Sequence, residues 1–434
     1  MSQVTPSVSP SAEPLVPVAL NSPARVLTAS LVGTTIEFFD FYVYATAAVL
    51  VFPALFFPNS DPMAAQLSSF ATFSIAFFAR PFGAIVFGHF GDRIGRKATL
   101  VAALLTMGIS TVVIGLLPSY AQIGVLAPLL LALCRFGQGF GLGGEWGGAV
   151  LLATENAPPG KRSWYGMFPQ LGAPIGLFLS SGIFWLLLQV ISKDALLSWG
   201  WRVPFLASSL LIAVGLWVRF SITETPAFQK AMEAHERVEV PIAALFRNHK
   251  RSIVLGTFVA LATFVLFYIG SAYLLAYNTK VLQLPLLQAL EVQLVGAIVF
   301  GIFIPLAGKY ADRIGRRQLL IGVTVAIALF SFLLPPLMTN GLGMIFVFSA
   351  AAMALMGVTY GLIGTALAAP FPTAVRYTGS SITFNLAGIF GASLAPYAAT
   401  WLQATYGMWA VGLYLGLSAV ITLVCILLSG REEV

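Results

Sequence analysis

The chain has 434 residues, of which 58% are hydrophobic and only 9% charged, and its 23 basic and 16 acidic side chains leave a net charge of +7. An ordinary soluble domain carries about 25% charged residues, so a mean hydropathy of +0.90 excludes soluble enzymes, nucleic-acid binders and disordered scaffolds. A spanning helix takes about 20 mostly apolar residues, and a dozen of them fit within this length.

In chain order, residues 1–24 are rich in Ser, Pro and Ala and read as a disordered cytoplasmic tail. Apolar stretches then follow at 27–55, 64–88, 98–117, 121–151, 164–191, 200–220, 252–277, 285–307, 318–338, 342–370, 380–402 and 408–429. This pattern predicts an all-α membrane protein with twelve transmembrane helices. The longest hydrophilic interval, 221–251, reads as a cytoplasmic central loop. It separates an N-terminal six-helix bundle (25–220) from a C-terminal one (252–430), with a cytoplasmic C-terminal tail at 431–434. With the N-terminus placed inside, 18 of the basic residues fall on the cytoplasmic side and only Lys193, Arg202 and Lys280 outside, while Arg80 and Arg135 lie within spans. That asymmetry predicts both termini in the cytoplasm. Cys134 and Cys425 sit in apolar runs and imply no disulfide framework.

A ten-residue motif occurs twice. Gly88-His-Phe-Gly-Asp-Arg-Ile-Gly-Arg-Lys97 recurs as Gly308-Lys-Tyr-Ala-Asp-Arg-Ile-Gly-Arg-Arg317 at an offset of 220, each copy after the second span of its half. Duplicated bundles of this kind build alternating access around a midplane site. Glycine permits close helix approach, and Asp92 or Asp312 can sit at a helix end with Arg across the loop. Gly88, Asp92, Arg93, Gly95, Arg96 and Lys97, with Gly308, Asp312, Arg313, Gly315, Arg316 and Arg317, are therefore candidate gating residues. The plainer alternative is that the cations merely anchor the cytoplasmic face.

The doubled loop resembles the signature of the major facilitator superfamily. The resemblance narrows with Gly33-Thr-Thr-Ile-Glu37-Phe-Phe-Asp40-Phe41, Phe78-Ala-Arg80-Pro81, Arg135-Phe-Gly-Gln-Gly-Phe-Gly-Leu-Gly-Gly-Glu145-Trp146-Gly147-Gly148, Trp199-Gly-Trp-Arg202-Val-Pro-Phe205 and Glu224-Thr-Pro-Ala-Phe228. Together these look like the metabolite:proton symporter family of bacterial inner membranes. The resemblance implies two pseudo-symmetric six-helix bundles and a proton-coupled symporter. Such a carrier imports a small organic acid, such as shikimate or a di- or tricarboxylate, by alternating access. It implies a multi-pass inner-membrane monomer that is no enzyme, with protons as coupling ion and no other cofactor or metal. The family also holds proline and betaine carriers, so a compatible-solute symporter is the alternative. A drug:proton antiporter is weaker, because Gly172-Ala-Pro174-Ile-Gly176 only partly matches the G-P-x-x-G-G element of that class.

Five ionisable residues, Glu37, Asp40, Arg80, Arg135 and Glu145, fall inside predicted spans. At about 2.5–3.5 kcal/mol each, left uncompensated they would cost roughly 12–17 kcal/mol, as much as a whole fold's stability of about 5–15 kcal/mol. They must pair, face water or neutralise. Glu37 and Asp40 share a helix face and are candidate proton carriers, the deeper Asp40 first. Arg135 and Arg80 can dock a carboxylate through a planar fork; substrate or proton-carboxylate contact is the favoured reading for Arg135, whereas for Arg80 structural pairing with Glu37 or Asp40 is an equal claim. Arg202, near a span end, is a candidate through the resemblance. The 220 offset carries the five charges onto Thr257, Ala260, Phe300, Leu355 and Val375, none ionisable, so the C-terminal half offers neutral polar groups instead. Tyr268, Tyr273, Tyr277, Asn278, Tyr360 and Asn385 are such groups, with Tyr273, Tyr277 and Asn385 as substrate-binding candidates. Glu145 reads as a gating residue. The glycines from Gly137 to Gly148 read as helix packing.

Overall fold

The computed structural model describes residues 23–58, 61–94, 96–143, 145–155, 157–221, 242–372 and 375–430. Residues 1–22 and 431–434 of the expected tails, and 222–241 of the expected central loop, lie outside the described residues; Pro23 and Ala24 already belong to the first helix, and the loop's last part is helical over Ile242–Asn248 and from Lys250 on. So do the side chains of the first motif copy at Gly88, Asp92, Arg93, Gly95, Arg96 and Lys97. All the described regular structure is helical.

The N-terminal half runs through Pro23–Leu50, Pro62–Ile94, Arg96–Leu116, Leu126–Leu142 continued by Trp146–Glu155, Arg162–Gln170 continued by Gly172–Val190, and Arg202–Ser221. After a short helix, Ile242–Asn248, the C-terminal half runs through Lys250–Val281, Leu286–Ile314, Arg316–Thr339, Leu342–Ala368, Arg376–Tyr406 and Met408–Leu428. These are the first to twelfth spans. Among the described residues ten are long and apolar enough to cross a membrane, or eleven if the pair Lys193–Gly200 and Arg202–Val218, bent by 51°, is one span. The first helix, with 28 residues, is about 42 Å long at 1.5 Å per residue, enough to span. Glu37 and Asp40 within it lower its hydropathy.

The second and eighth spans continue well past the expected ends at 88 and 307, so most of each motif is helix rather than loop. In the second copy the helix runs to Ile314 and stops at Gly315, whose φ of +94° suits only glycine; the next helix begins at Arg316. One residue makes the whole turn.

Within each half the spans pack pairwise: first on fifth, second on fourth, third on sixth, and in the other half eighth on tenth and ninth on twelfth. Close approach explains the glycine run. A Cβ on Gly139 would run into the backbone of Ala76, and one on Gly143 into that of Arg80 and Ala84, so the fourth span lies directly on the second. Outside, Leu133, Leu210, Leu329, Leu413 and Leu417 are exposed, as are Trp199, Trp217, Trp401 and Trp409 near span ends. This is the apolar belt and aromatic girdle of a membrane protein.

The seventh span is interrupted by π-helical turns at Ile269–Tyr273 and Tyr277–Val281, and the eleventh by one at Gly388–Ser393. Each inserted residue rotates the rest of the span by about 100° relative to a regular helix.

Candidate functional site

All five predicted intramembrane charges lie in the N-terminal half, and four of them gather at its centre. Glu37, Asp40, Arg80 and Arg135 are only 3%, 0%, 5% and 0% exposed. Asp40 accepts a short hydrogen bond from the Ser208 hydroxyl of the sixth span, and Thr111 of the third span lies beside the same carboxyl group. Arg135 does not bond Asp40 directly. Its Nε donates to the Phe73 carbonyl at 3.2 Å and its Nη1 to Gln138 Oε1 at 3.0 Å. Gln138 Nε2 in turn donates to Thr111 Oγ1 at 2.8 Å. A polar chain Arg135, Gln138, Thr111 thus reaches Asp40 through three spans of one half. Among the described residues Arg135 Nη2 has no hydrogen-bond partner. The guanidinium is instead caged by the rings of Phe41, Tyr44 and Phe73, 4.2, 4.1 and 4.7 Å from its carbon.

Arg80 faces the other half. Its guanidinium lies over Phe41 and Phe77 at 4.7 and 4.6 Å, within electrostatic reach of Glu37 and of the hydroxyls of Tyr42, Tyr268 and Tyr360. Tyr268 and Tyr360 belong to the C-terminal half, and their rings close the centre. Tyr268 meets Phe73 and Phe77 with centroids 5.7 and 5.8 Å apart, Tyr360 meets Phe38 at 6.4 Å, and Phe267 meets Tyr42 at 5.4 Å. The centre therefore holds cations and carboxyl groups from one half against tyrosine hydroxyls from the other.

The other sequence candidates stand elsewhere. The Tyr273 hydroxyl is directed to Met408 Sδ at 3.6 Å, at the start of the twelfth span, and its ring lies 6.0 Å from that of Tyr277. Tyr273 ends the first π-helical turn and Tyr277 follows it, whereas Tyr268 precedes it. Asn385 is buried one residue after Phe384, at the inter-half contact described next. Arg202 lies over Trp201, and its Nη1 donates to the carbonyls of Gly115 and Leu117 at 2.8 Å each, capping the third span. Gln138, Thr111 and Ser208 were not singled out from sequence; the only clue was the i, i+3 spacing of Gln138 from Arg135.

The halves meet at both ends. At the end carrying the motif loops, the Trp146 ring stacks on Phe384 with centroids 3.6 Å apart and planes 12° from parallel, and its Nε1 donates to Gln170 Oε1 at 3.1 Å. Glu145 is buried beside it. Asp312 accepts from the backbone N–H groups of Ser163 and Trp164 at 3.0 and 2.9 Å, so a carboxylate of one half caps the fifth span of the other. Gly308 allows this approach, since a Cβ there would stand 3.1 Å from Met167 and 3.2 Å from the Ser163 carbonyl oxygen. Arg316 Nη1 donates to the Thr365 carbonyl and Arg317 Nη2 to those of Ile426 and Leu427, capping the tenth and twelfth spans; Arg313 is exposed. At the opposite end Trp185 Nε1 donates to Glu291 Oε1 of the eighth span at 3.3 Å. Glu291 is a further ionisable residue within a span, inconspicuous in the sequence because it lies near the span's start.

Residues 26–239 match the model of the Sugar (and other) transporter family. The inner membrane metabolite transport protein YhjE of Escherichia coli is 56% identical over 416 residues, covering 94% of each chain. The chain belongs to the major facilitator superfamily. This facilitator is a multi-pass membrane transporter of metabolites, not an enzyme. The shikimate transporter of Escherichia coli is 34% identical, with 92% of each chain covered. The proline/betaine transporter of Salmonella typhimurium is also 34% identical, over 92% of this chain and 82% of that one. Among solved structures a D-xylose-proton symporter superposes with a TM-score of 0.73 at 18% identity, covering 92% of this chain and 97% of its own, and shares the fold.

Proposed function

We propose that this facilitator imports a small organic acid together with protons by alternating access, as a monomer of the bacterial inner membrane with its motif-loop end and both termini facing the cytoplasm. No cofactor beyond the coupling proton enters this reading. The observation that carries it is the charge balance of the buried cluster. Glu37, Asp40, Arg80 and Arg135 sum to zero when all are ionised. With Asp40 protonated the cluster is left with one excess positive charge in a poorly solvated site, which favours an anion. Proton and anion therefore stabilise each other's binding, the thermodynamic condition for symport.

Asp40 is the primary proton site in this scheme, with Glu37 as its neighbour near Arg80. Arg80 receives the carboxylate, and Tyr268 and Tyr360 bond hydroxyl or carbonyl groups of the substrate. Arg135 holds the field at Asp40 through Gln138 and Thr111. Asp312, Glu145 and the motif residues act at the cytoplasmic gate. The relatives named for shikimate and for proline and betaine support a small polar metabolite. The rings around Arg80 favour a second reading, a zwitterionic betaine held by aromatic faces, although two guanidinium groups repel its ammonium.

Proteoliposomes with a trapped pH dye test the choice. On addition of shikimate, 2-oxoglutarate or citrate, at least one should acidify the lumen. Acidification with proline or betaine alone would favour the second reading, and lumen alkalinisation with hydrophobic cations would contradict symport.

A further inference from the structure

At the end opposite the motif loops the two halves flank a partly open pocket of about 50 Å³, lined by Leu50, Lys193, Leu196, Thr279, Lys280 and Leu286 among others. Lys193 belongs to the N-terminal half and Lys280 to the C-terminal half. With Arg202 they are the three basic residues that the span count puts at this end. Arg202 is committed to the Gly115 and Leu117 carbonyls. Among the described residues neither lysine ammonium makes a hydrogen bond or ion pair. Asp194, next to Lys193, is exposed and does not line the pocket, and Glu291 is engaged by Trp185.

Both lysines are exposed, and two ammonium groups brought to one pocket repel. That repulsion opposes contact of the halves at this end. An anion between them replaces one repulsion by two charge-assisted contacts. The volume sets the size of the guest. A water needs about 10–15 Å³ of such space, so the pocket takes a carboxylate or a similar group rather than a whole metabolite. The Thr279 hydroxyl is given to the Leu275 carbonyl at 2.8 Å, which leaves recognition to the lysines.

We infer that Lys193 and Lys280 form an anion-dependent clasp, in which one carboxylate of a soluble organic anion bridges the two halves and favours the arrangement closed at this end. The inference rests on the alternating-access reading. Opening here draws the lysines apart, so the bridged site exists only in the closed arrangement, and a ligand restricted to one state shifts the equilibrium toward it. The clasp is distinct from the central cluster and needs neither Asp40 nor Arg80.

The test is a distance measurement across this end, with labels at Asp61→Cys and Asn340→Cys in full-length protein carrying Cys134→Ser and Cys425→Ser. The protein is held in phosphatidylcholine nanodiscs at constant ionic strength, and citrate is the probe against chloride. Citrate should raise the closed-to-open ratio about threefold, the scale of an exposed charge pair. Lys280→Gln should be more closed at the outset and lose the response, Lys280→Arg should keep it, and Lys280→Glu should be closed without citrate by pairing with Lys193. Asp40→Asn should keep the full citrate response even where accumulation is lost, which separates failure of the clasp from failure of the transport reading. A citrate response unchanged in Lys280→Gln, or none in the parent protein, overturns the clasp. Closure driven by phosphatidylglycerol without citrate overturns the soluble carboxylate as its occupant.

Discussion

Arg80 and Phe300 occupy corresponding places in the duplicated halves, in the second and eighth spans. Arg80 brings a buried cation to the centre, stacked on Phe41 and Phe77. Phe300 brings a ring to the same depth, against Phe267 and Tyr360 at 5.8 and 5.7 Å. The contrast extends to the other pairs: Asp40 answers to the fully buried Ala260, and Glu37 to Thr257, whose hydroxyl is given to the Ile253 carbonyl. The two halves share the order of their spans while their buried charges differ. Burying four charges at about 2.5–3.5 kcal/mol each costs roughly 10–14 kcal/mol before compensation. Gathering them in one half lets them compensate one another whatever the other half does. On the proposed reading the N-terminal half couples proton to anion, and the C-terminal half supplies neutral contacts and closure.

That division can be broken in steps. Arg135→Ala should have the largest effect, reducing the initial rate of proton-driven uptake in proteoliposomes by more than about 100-fold, because removing one member of a buried ionic network costs about 3–5 kcal/mol. An uptake rate within a few-fold of the parent would show that the N-terminal half does not depend on the chain through Gln138 and Thr111. Asp312→Ala should come next. It leaves the Ser163 and Trp164 N–H groups without their acceptor, a capping loss of about 0.5–2 kcal/mol. Alkylation of a cysteine placed at Gly148 should then be several-fold faster, and an unchanged rate would contradict a latch there. Tyr268→Phe removes one hydroxyl, about 0.5–1.5 kcal/mol, and should weaken half-saturation no more than about tenfold while leaving maximal accumulation intact. A loss of accumulation instead would move coupling into the C-terminal half. Arg202→Gln should change uptake least and lower thermal stability by a few degrees, since it uncaps the third span.

How much of this was legible in the sequence depends on where each signal resides. Charges in apolar runs are conspicuous one residue at a time, so Glu37, Asp40, Arg80 and Arg135 were found directly. The twelve spans followed from hydropathy and from the asymmetry of the basic residues. Partners contributed by other spans were not legible. Thr111, Gln138 and Ser208 are ordinary polar residues until the third, fourth and sixth spans are brought together. Tyrosines of the seventh span could not be ranked, because the π-helical turn at Ile269–Tyr273 changes which face points inward after Tyr268. The motif resembled a loop because it is charged and rich in glycine, yet only Gly315 leaves the helix; the rest stays helical and delivers Asp312 to the fifth span.

The central claim is that Asp40 carries the coupling proton, and Asp40→Asn tests it most directly. In proteoliposomes the variant should retain exchange of labelled for unlabelled substrate under equal concentrations while losing accumulation driven by a pH gradient. The Ser208 contact and the shape of the side chain survive that substitution, so retained exchange reports an intact carrier. Accumulation at the parent level in Asp40→Asn would contradict the assignment.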